Sequence, residues 1–271
     1  MKKFVSVFLI LLSFYSFSQD AKQFKVVFYK EVTFETPDYK LYLVRCFTRE
    51  NELKIKIRIF NKTKDYIYIK PGEIEINIQG EILKTDSKPV IVQPDGDEAK
   101  LMDYIGKQDL RCDNFEVVLN GFYKIPVDGD VYLMQNTPLP EKIGTEITAG
   151  DINCTLKDVD VTAKKAFAKF NCIYNGDKVA IIDASKCQAE MANGNKVNNA
   201  VQSSMSFIKT EGQILEKGEA KDIKLDYKFN NTGKFNDGMG VKWNHTFTQS
   251  NKMAYKVIKV PMQLDLDKSE K

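Results

Sequence analysis

The chain has 271 residues, with 40 lysines and arginines against 37 aspartates and glutamates, and a formal net charge of +3. So balanced a charge argues against a nucleic-acid partner, because nucleic-acid-binding proteins gather basic residues on one surface. One histidine occurs, and the sequence has no G-x-S-x-G, P-loop or dinucleotide fingerprint, which argues against the common hydrolase and nucleotide-dependent enzymes and predicts no cofactor.

Residues 1–18 have the organisation of a signal peptide. Lys2 and Lys3 precede an apolar run at residues 4–14, and Ser16 and Ser18 supply the small side chains of a cleavage site. The run is shorter than the roughly 20 apolar residues of a membrane-spanning helix, so a membrane anchor is the alternative interpretation. We expect cleavage near Ser18, a secreted, periplasmic or cell-surface protein, and no transmembrane segment in the mature chain.

Apolar and polar residues alternate along most of the mature chain. The segment LKIKIRIF at residues 53–60 is one example, and segments at 66–70, 74–78, 222–229 and 255–262 follow the same pattern. A period of two is typical of strands with one buried face. Turn-forming sequences recur at intervals of about 8 to 12 residues, which predicts an all-β fold of antiparallel sandwiches.

A recognisable stretch lies at residues 57–69, IRIFNKTKDYIYI, where a strand ends in Asn61 and a polar turn leads into a second strand. It resembles the telokin-type immunoglobulin-like domains of uncharacterised bacterial exported proteins. The resemblance implies an immunoglobulin-like architecture and transfers no site residues, because a fold alone does not specify a function.

Two acidic segments contain glycine, PDGDE at residues 94–98 and VDGD at 127–130. Asp95, Asp97 and Glu98 are candidate calcium ligands, since calcium prefers carboxylate oxygens. Neither segment has the D-x-D-x-D-G spacing of a calcium loop, and Asp and Gly are also the usual residues of hairpin turns. We therefore expect turns here, with a calcium site as the alternative.

The chain also repeats itself. A shift of 113 residues places Leu41 on Cys154 and Ile59 on Cys172 with their faces in agreement, and the triplet Glu-Ala-Lys at 98–100 recurs at 219–221. The pattern predicts two domains related by internal duplication, with an insertion of about ten residues in the second copy at 193–204. The predicted boundaries are 24–137 for the first sandwich, 138–151 for a linker, 152–264 for the second sandwich and 265–271 for a tail.

Five cysteines in an exported chain suggest disulfides. Cys154 and Cys172 lie nine residues before and after Ala163, so a hairpin turning there would place them opposite each other, within bridging distance. The competing pairs are Cys172 with Cys187 and Cys46 with Cys112. Alternatively, Cys154, Cys172 and Cys187 are small buried hydrophobic residues. No two cysteines have the short C-x-x-C spacing, which argues against a metal site.

The only histidine, His245, alternates with Trp243 and Phe247 in the sequence. This spacing predicts a packed or half-exposed strand residue on the same face as both aromatic side chains.

The sequence therefore favours a non-enzymatic interaction or cell-envelope module, whose partner is a protein or an envelope glycan. One alternative is a carbohydrate-binding or glycan-active protein that uses carboxylates. A second, implied by the resemblance alone, is a protease inhibitor of telokin-like fold.

Overall fold

A computed structural model of the chain describes residues 21–139, 141–162, 164–191, 194–200, 212–229 and 239–270. The predicted signal peptide lies outside these residues. Within them the regular structure consists of β-strands and single turns of 3-10 helix at Ala21–Gln23, Pro71–Glu73 and Ala184–Lys186. The prediction of an all-β fold is confirmed. None of the described elements is a helix with the length and apolar composition needed to cross a membrane.

The strands fall into two units. The first unit contains β1 (Val27–Phe28), β2 (Val32–Glu35), β3 (Tyr39–Arg49), β4 (Glu52–Asn61), β5 (Tyr66–Ile69), β6 (Glu75–Ile78), β7 (Glu81–Leu83), β8 (Val90–Val92), β9 (Asp97–Ile105), β10 (Asn114–Leu119) and β11 (Phe122–Ile125). It also includes two C-terminal strands, β24 (Met253–Ala254) and β25 (Ile258–Gln263).

The second unit lies between these two parts of the chain. Its strands are β12 (Asp130–Tyr132), β13 (Thr137–Leu139), β14 (Glu146–Ala149), β15 (Ile152–Val161), β16 (Lys165–Tyr174), β17 (Val179–Ile182), β18 (Cys187–Met191), β19 (Lys196–Asn198), β20 (Gln213–Leu215), β21 (Ala220–Lys228), β22 (Met239–Trp243) and β23 (Phe247–Ser250).

Among the described residues, each unit has three antiparallel sheets with corresponding strand orders. The large sheet of the first unit has the order β1-β3-β4-β9, with β2 also paired to β3, and the large sheet of the second unit has the order β14-β15-β16-β21. The smaller sheets are β25-β10-β6-β7 and β24-β11-β5-β8 in the first unit, and β13-β22-β18-β19 and β12-β23-β17-β20 in the second. The two units therefore share a topology, while their origin by duplication remains a prediction.

Strand pairing divides the chain differently from the predicted domain boundaries. β25 pairs with β10 and β24 with β11, so the C-terminal strands complete the first unit rather than the second. The predicted linker at 138–151 contains β14 and most of β13, which pair with β15 and β22. Its prolines and glycines suggested a break, but proline is tolerated on edge strands, and Pro138 lies on such a strand.

The C-terminal segment after β25 is also tied to the first unit. The amide of Asp265 donates to the carbonyl of Phe28 at 2.7 Å, and the amide of Lys25 donates to the carbonyl of Glu270 at 2.8 Å. Both ends of the described chain meet here. The predicted frayed tail at 265–271 is therefore not observed over residues 265–270, which are hydrogen-bonded to the first unit.

The two cross-strand pairs predicted from the hairpins are confirmed, although the register shifts by one residue nearer each turn. Leu41 lies opposite Ile59 and Cys154 opposite Cys172. Residues 196–198 of the predicted insertion form β19 against β18, as residues 81–83 form β7 against β6 in the first unit. Fourteen residues, 199–212, separate β19 from β20 in the sequence, whereas six, 84–89, separate β7 from β8. Residues 193 and 201–204 of the predicted insertion lie outside the described residues.

Alternation along the strands builds a separate hydrophobic core in each unit. In β4 the side chains of Leu53, Ile55 and Ile59 are buried, whereas the lysines and arginine between them face outward. A smaller buried cluster joins the two units, with its buried members Tyr66, Tyr68, Ile125, Val179, Ile181 and Ile214. The first three come from the first unit and the last three from the second.

Candidate functional site

The outward side of the large sheet in the first unit is a charged surface formed by alternating strands. We call it the outer face, and it consists of the outward residues of β2, β3, β4 and β9. In β4 these are Glu52, Lys54, Lys56, Arg58 and Phe60, since they alternate with the buried core residues. The face exists because period-two alternation places every second side chain in solvent.

Ion pairs connect side chains of the outer face, both within β4 and between β4 and β9. Lys54 Nζ lies 3.0 Å from Glu52 Oε1 and 3.4 Å from Asp103 Oδ1, and Arg58 lies 3.0 Å from Asp97 Oδ2. Hydrogen bonds to Glu52 and Asp103 raise the pKa of Lys54 above its ordinary value. Exposed pairs of this kind are screened by solvent and contribute little to stability, so their main effect is to set the charge pattern of the surface.

Large apolar side chains border these charges. Phe60 is 44% exposed, Leu101 48% and Ile105 65%. Single exposed hydrophobic residues are common on soluble proteins. Here three of them occupy the paired strands β4 and β9, on the same side of the sheet as the ion pairs. The outer face therefore combines charge with exposed apolar surface at its margin.

The three calcium-ligand candidates, Asp95, Asp97 and Glu98, do not converge on one point. Asp95 has a positive φ of 53° at a turn and its carboxylate binds Lys64, while Asp97 begins β9 and binds Arg58. Glu98 follows Asp97 in the strand, so its side chain points to the opposite side of the sheet. Within the described ranges, no group of three or more His, Cys, Asp or Glu side chains is arranged to hold a metal ion.

The cysteines form one disulfide, between Cys154 and Cys172, whose Cα atoms are 4.0 Å apart. This confirms the cross-strand pair predicted from the hairpin. Cys46, Cys112 and Cys187 are free thiols, so neither competing pair is formed. Burial raises the pKa of the Cys187 thiol to about 12, as befits a small packed residue rather than a nucleophile.

His245 lies in the turn between β22 and β23, where its φ is +52° and its side chain is exposed. The predicted strand alternation fails here, because Trp243 and Phe247 belong to different strands and both are buried. The turn borders an open cleft of ≈ 680 Å³ that also contains the predicted acidic turn, through Val127, Asp128 and Gly129. Gly129 is required there, since a Cβ would lie 2.1 Å from the carbonyl oxygen of Gln249.

A second open cleft, of ≈ 660 Å³, is lined by amide and carboxylate side chains of β6, β10 and β25, with Leu264 and Leu266 beside them. Asn77 Nδ2 donates to Glu116 Oε1 at 3.3 Å. Asn77 Oδ1 is buried and has no hydrogen-bond partner among the described residues. Such an acceptor at the edge of a cleft can receive a hydrogen bond from a ligand hydroxyl.

A charged network adjoins the buried cluster between the two units. Glu216 lies 2.6 Å from Lys70 and 2.5 Å from Lys252, while Tyr123 donates to Glu73 Oε2 at 2.5 Å. Burial, and then the hydrogen bond to Glu73, raise the pKa of Tyr123 to about 12. Sequence reasoning missed this network, because its members are ordinary surface residue types far apart in the chain.

Comparisons with known proteins add little to this geometry. No protein-family model matches the chain, and no curated protein is similar to it. Among solved structures, the yjhA protein from Bacillus subtilis is 16% identical over 34% of this chain and 75% of its own, with a TM-score of 0.27. AerE from Microcystis aeruginosa is 11% identical over 90% of this chain and 99% of its own, with a TM-score of 0.12.

Proposed function

We propose that the protein is a secreted or periplasmic, non-enzymatic module that binds another protein through the outer face. The observation that carries this proposal is the combination of cross-strand ion pairs with the exposed Phe60, Leu101 and Ile105 on one sheet surface. Protein-binding surfaces commonly pair apolar contact area with a polar, charged surround. The predicted signal peptide and the resemblance to telokin-type immunoglobulin-like domains belong to the same proposal.

Site-specific photo-crosslinking tests the proposal in the mature chain. A photoreactive side chain at Lys56, in the middle of the outer face, is compared with one at Lys169, which faces outward at the corresponding place in the second unit and pairs with Asp222. With envelope extract, we expect an adduct with a distinct protein at position 56 that unlabelled mature chain competes away and that Arg58→Glu abolishes. Equal labelling at both positions, or labelling that Arg58→Glu leaves intact, would contradict the proposal.

A second candidate function, glycan binding, is favoured by the unpartnered Asn77 Oδ1 in the amide-lined cleft. Amide and carboxylate groups are suited to hydrogen-bond sugar hydroxyls. Calorimetry with soluble envelope-glycan fragments should then show binding that Asn77→Ala removes and Asn171→Ala, on the exposed face of β16, retains. The absence of binding by the unmodified protein would dismiss this candidate.

A further inference from the structure

Strands β9 and β21 are edge strands of the two large sheets, and the repeated Glu-Ala-Lys and Asp-Tyr sequences lie in them or at their start. They occupy equivalent positions, so the backbone edges that they present can be compared residue by residue. The edge of an exposed strand is a template for pairing with another strand unless it is covered or charged.

Hydrogen bonds at the two ends of β9 establish which of its backbone groups point away from β4. The amide of Gly106 donates to Asn51 O at 2.9 Å, and the amide of Asn61 donates to Gly96 O at 2.8 Å. Hydrogen-bonded and non-hydrogen-bonded pairs alternate in an antiparallel ladder. With the observed register, the N–H and C=O groups that point outward belong to Asp97, Ala99, Leu101, Asp103 and Ile105.

The same reasoning applies to β21. Tyr174 N donates to Glu219 O at 3.1 Å and Phe229 N donates to Lys164 O at 2.8 Å. In the observed register, the outward groups of β21 belong to Ala220, Asp222, Lys224, Asp226 and Lys228. Four of these five residues carry a charge, which is a usual protection of sheet edges.

The edge of β21 is also covered. Asn199, which is 3% exposed, donates from Nδ2 to Lys224 O at 3.3 Å and accepts from Asp226 N at 2.9 Å through Oδ1. One amide side chain thus occupies the place of a neighbouring strand. It comes from the long connection at 199–212, for which the first unit has only residues 84–89.

The edge of β9 carries fewer charged residues than the edge of β21, and no side chain like that of Asn199 covers it within the described part of the chain. Among the described residues, no hydrogen bond is made to the outward backbone groups of β9. All five outward residues are exposed, and three of them, Ala99, Leu101 and Ile105, are apolar. Nine residues at about 3.4 Å each make an edge of roughly 30 Å, longer than a typical strand.

We infer that β9 pairs antiparallel with β9 of a second copy of this chain. The strand is self-complementary when Leu101 lies on the two-fold axis. Leu101 then meets Leu101, Ala99 meets Asp103 and Asp97 meets Ile105, so no like charges lie directly opposite each other. All of these residues present outward backbone groups, which makes each meeting a hydrogen-bonded pair. The two outer faces join into one continuous sheet, independently of the partner protein proposed above.

Sedimentation velocity of the mature chain over a range of concentrations tests this pairing. Ala99→Pro removes an outward N–H and leaves the ladder with β4 intact, because the Ala99 amide does not take part in it. Ala220→Pro makes the same change on the charged edge of β21. We expect the unmodified protein and Ala220→Pro to form a dimer at high concentration, and Ala99→Pro to lose it.

A second variant guards against a folding defect in Ala99→Pro. Leu101→Lys changes only an exposed side chain and places like charges opposite each other at the two-fold axis, so it should also be monomeric while its circular dichroism spectrum stays unchanged. A monomeric unmodified protein at every concentration, as expected if the edge binds a strand of a different protein, overturns the inference. Dimers that persist in both Ala99→Pro and Leu101→Lys also overturn the inference.

Discussion

The buried side chain of Asn61 organises the turn that follows β4. It is fully buried, Nδ2 donates to Asp65 O at 2.7 Å and to Gln93 O at 2.9 Å, and Oδ1 accepts from Thr63 N at 3.0 Å. The asparagine at the end of the first strand in the stretch 57–69 is therefore a structural residue. It joins the start of the turn to its end and to the chain that leaves β8.

Replacing Asn61 by alanine should be costly, because it leaves several buried backbone groups without partners. Each such group costs about 1 to 3 kcal/mol, so we expect Asn61→Ala to lower the free energy of unfolding by about 3 kcal/mol in urea denaturation. Asn175, which is exposed in the corresponding turn of the second unit, provides the control. Equal destabilisation by Asn61→Ala and Asn175→Ala would contradict this role.

The Cys154–Cys172 disulfide closes a loop with a sequence separation of 18. Loop-closure entropy for that length corresponds to about 3 kcal/mol of stabilisation. Reductant should therefore lower the melting temperature of the unmodified protein in differential scanning calorimetry. The Cys154→Ala/Cys172→Ala variant should melt at a lower temperature and show no response to reductant; a response there would implicate Cys46, Cys112 or Cys187 instead.

Sequence reasoning located this bond from a hairpin centred on Ala163, but the observed register reaches it through a β-bulge between Leu156 and Asp158 that the pattern did not predict. The prediction of a strand residue at His245 was wrong, because alternation of apolar and polar residues does not distinguish a strand from a turn that interrupts it. The positive φ of His245 is uncommon outside glycine, although asparagine, aspartate and histidine adopt it more often than other residues.

At the scale of single strands, alternation predicts which face of β4, β9 or β21 is buried but not which strand lies beside it. The pairing of β25 with β10 joins segments that are distant in the chain, and no local pattern encodes it. For the same reason, the sequence pattern did not predict that the edges of β9 and β21 differ. Their sequences are similar, and the protection of β21 comes from Asn199, a residue of another segment.

Removing the Asn199 side chain should expose the edge of β21. In Asn199→Ala, the amide of Asp226 loses its acceptor, so its hydrogen exchange measured by nuclear magnetic resonance should accelerate by more than tenfold. The amide of Tyr227, which lies in the ladder with Ala166, should change much less. Unchanged exchange at Asp226 would mean that Asn199 does not cover the edge in solution.

For the whole molecule, Glu216 connects the two units electrostatically. Burial disfavours its ionised form, but hydrogen bonds from Lys252 and Lys70 outweigh that effect and lower the pKa below the ordinary 4.5. A carboxylate with a depressed folded-state pKa contributes stability that is complete above its unfolded pKa and is lost as the pH falls through the folded value.

The Glu216→Gln variant should accordingly be less stable than the unmodified protein at neutral pH, with a difference that shrinks below the ordinary pKa of 4.5. Urea denaturation at a series of pH values measures this. Asp177→Asn is the control, because the pKa of Asp177 is also lowered, by Lys217, but the pair is fully exposed to solvent. A pH-independent effect of Glu216→Gln would show that the network does not couple the units through charge.

Residue-resolved amide exchange along β9 tests most directly the claim that this strand presents an open pairing edge. In dilute protein, we predict that the outward amides of Ala99, Leu101 and Asp103 exchange fast while the inward amides of Lys100 and Met102 are protected, and that the outward amides become protected as the concentration rises. Uniform protection of both sets in dilute protein, or outward amides that stay fast at every concentration, would contradict the account.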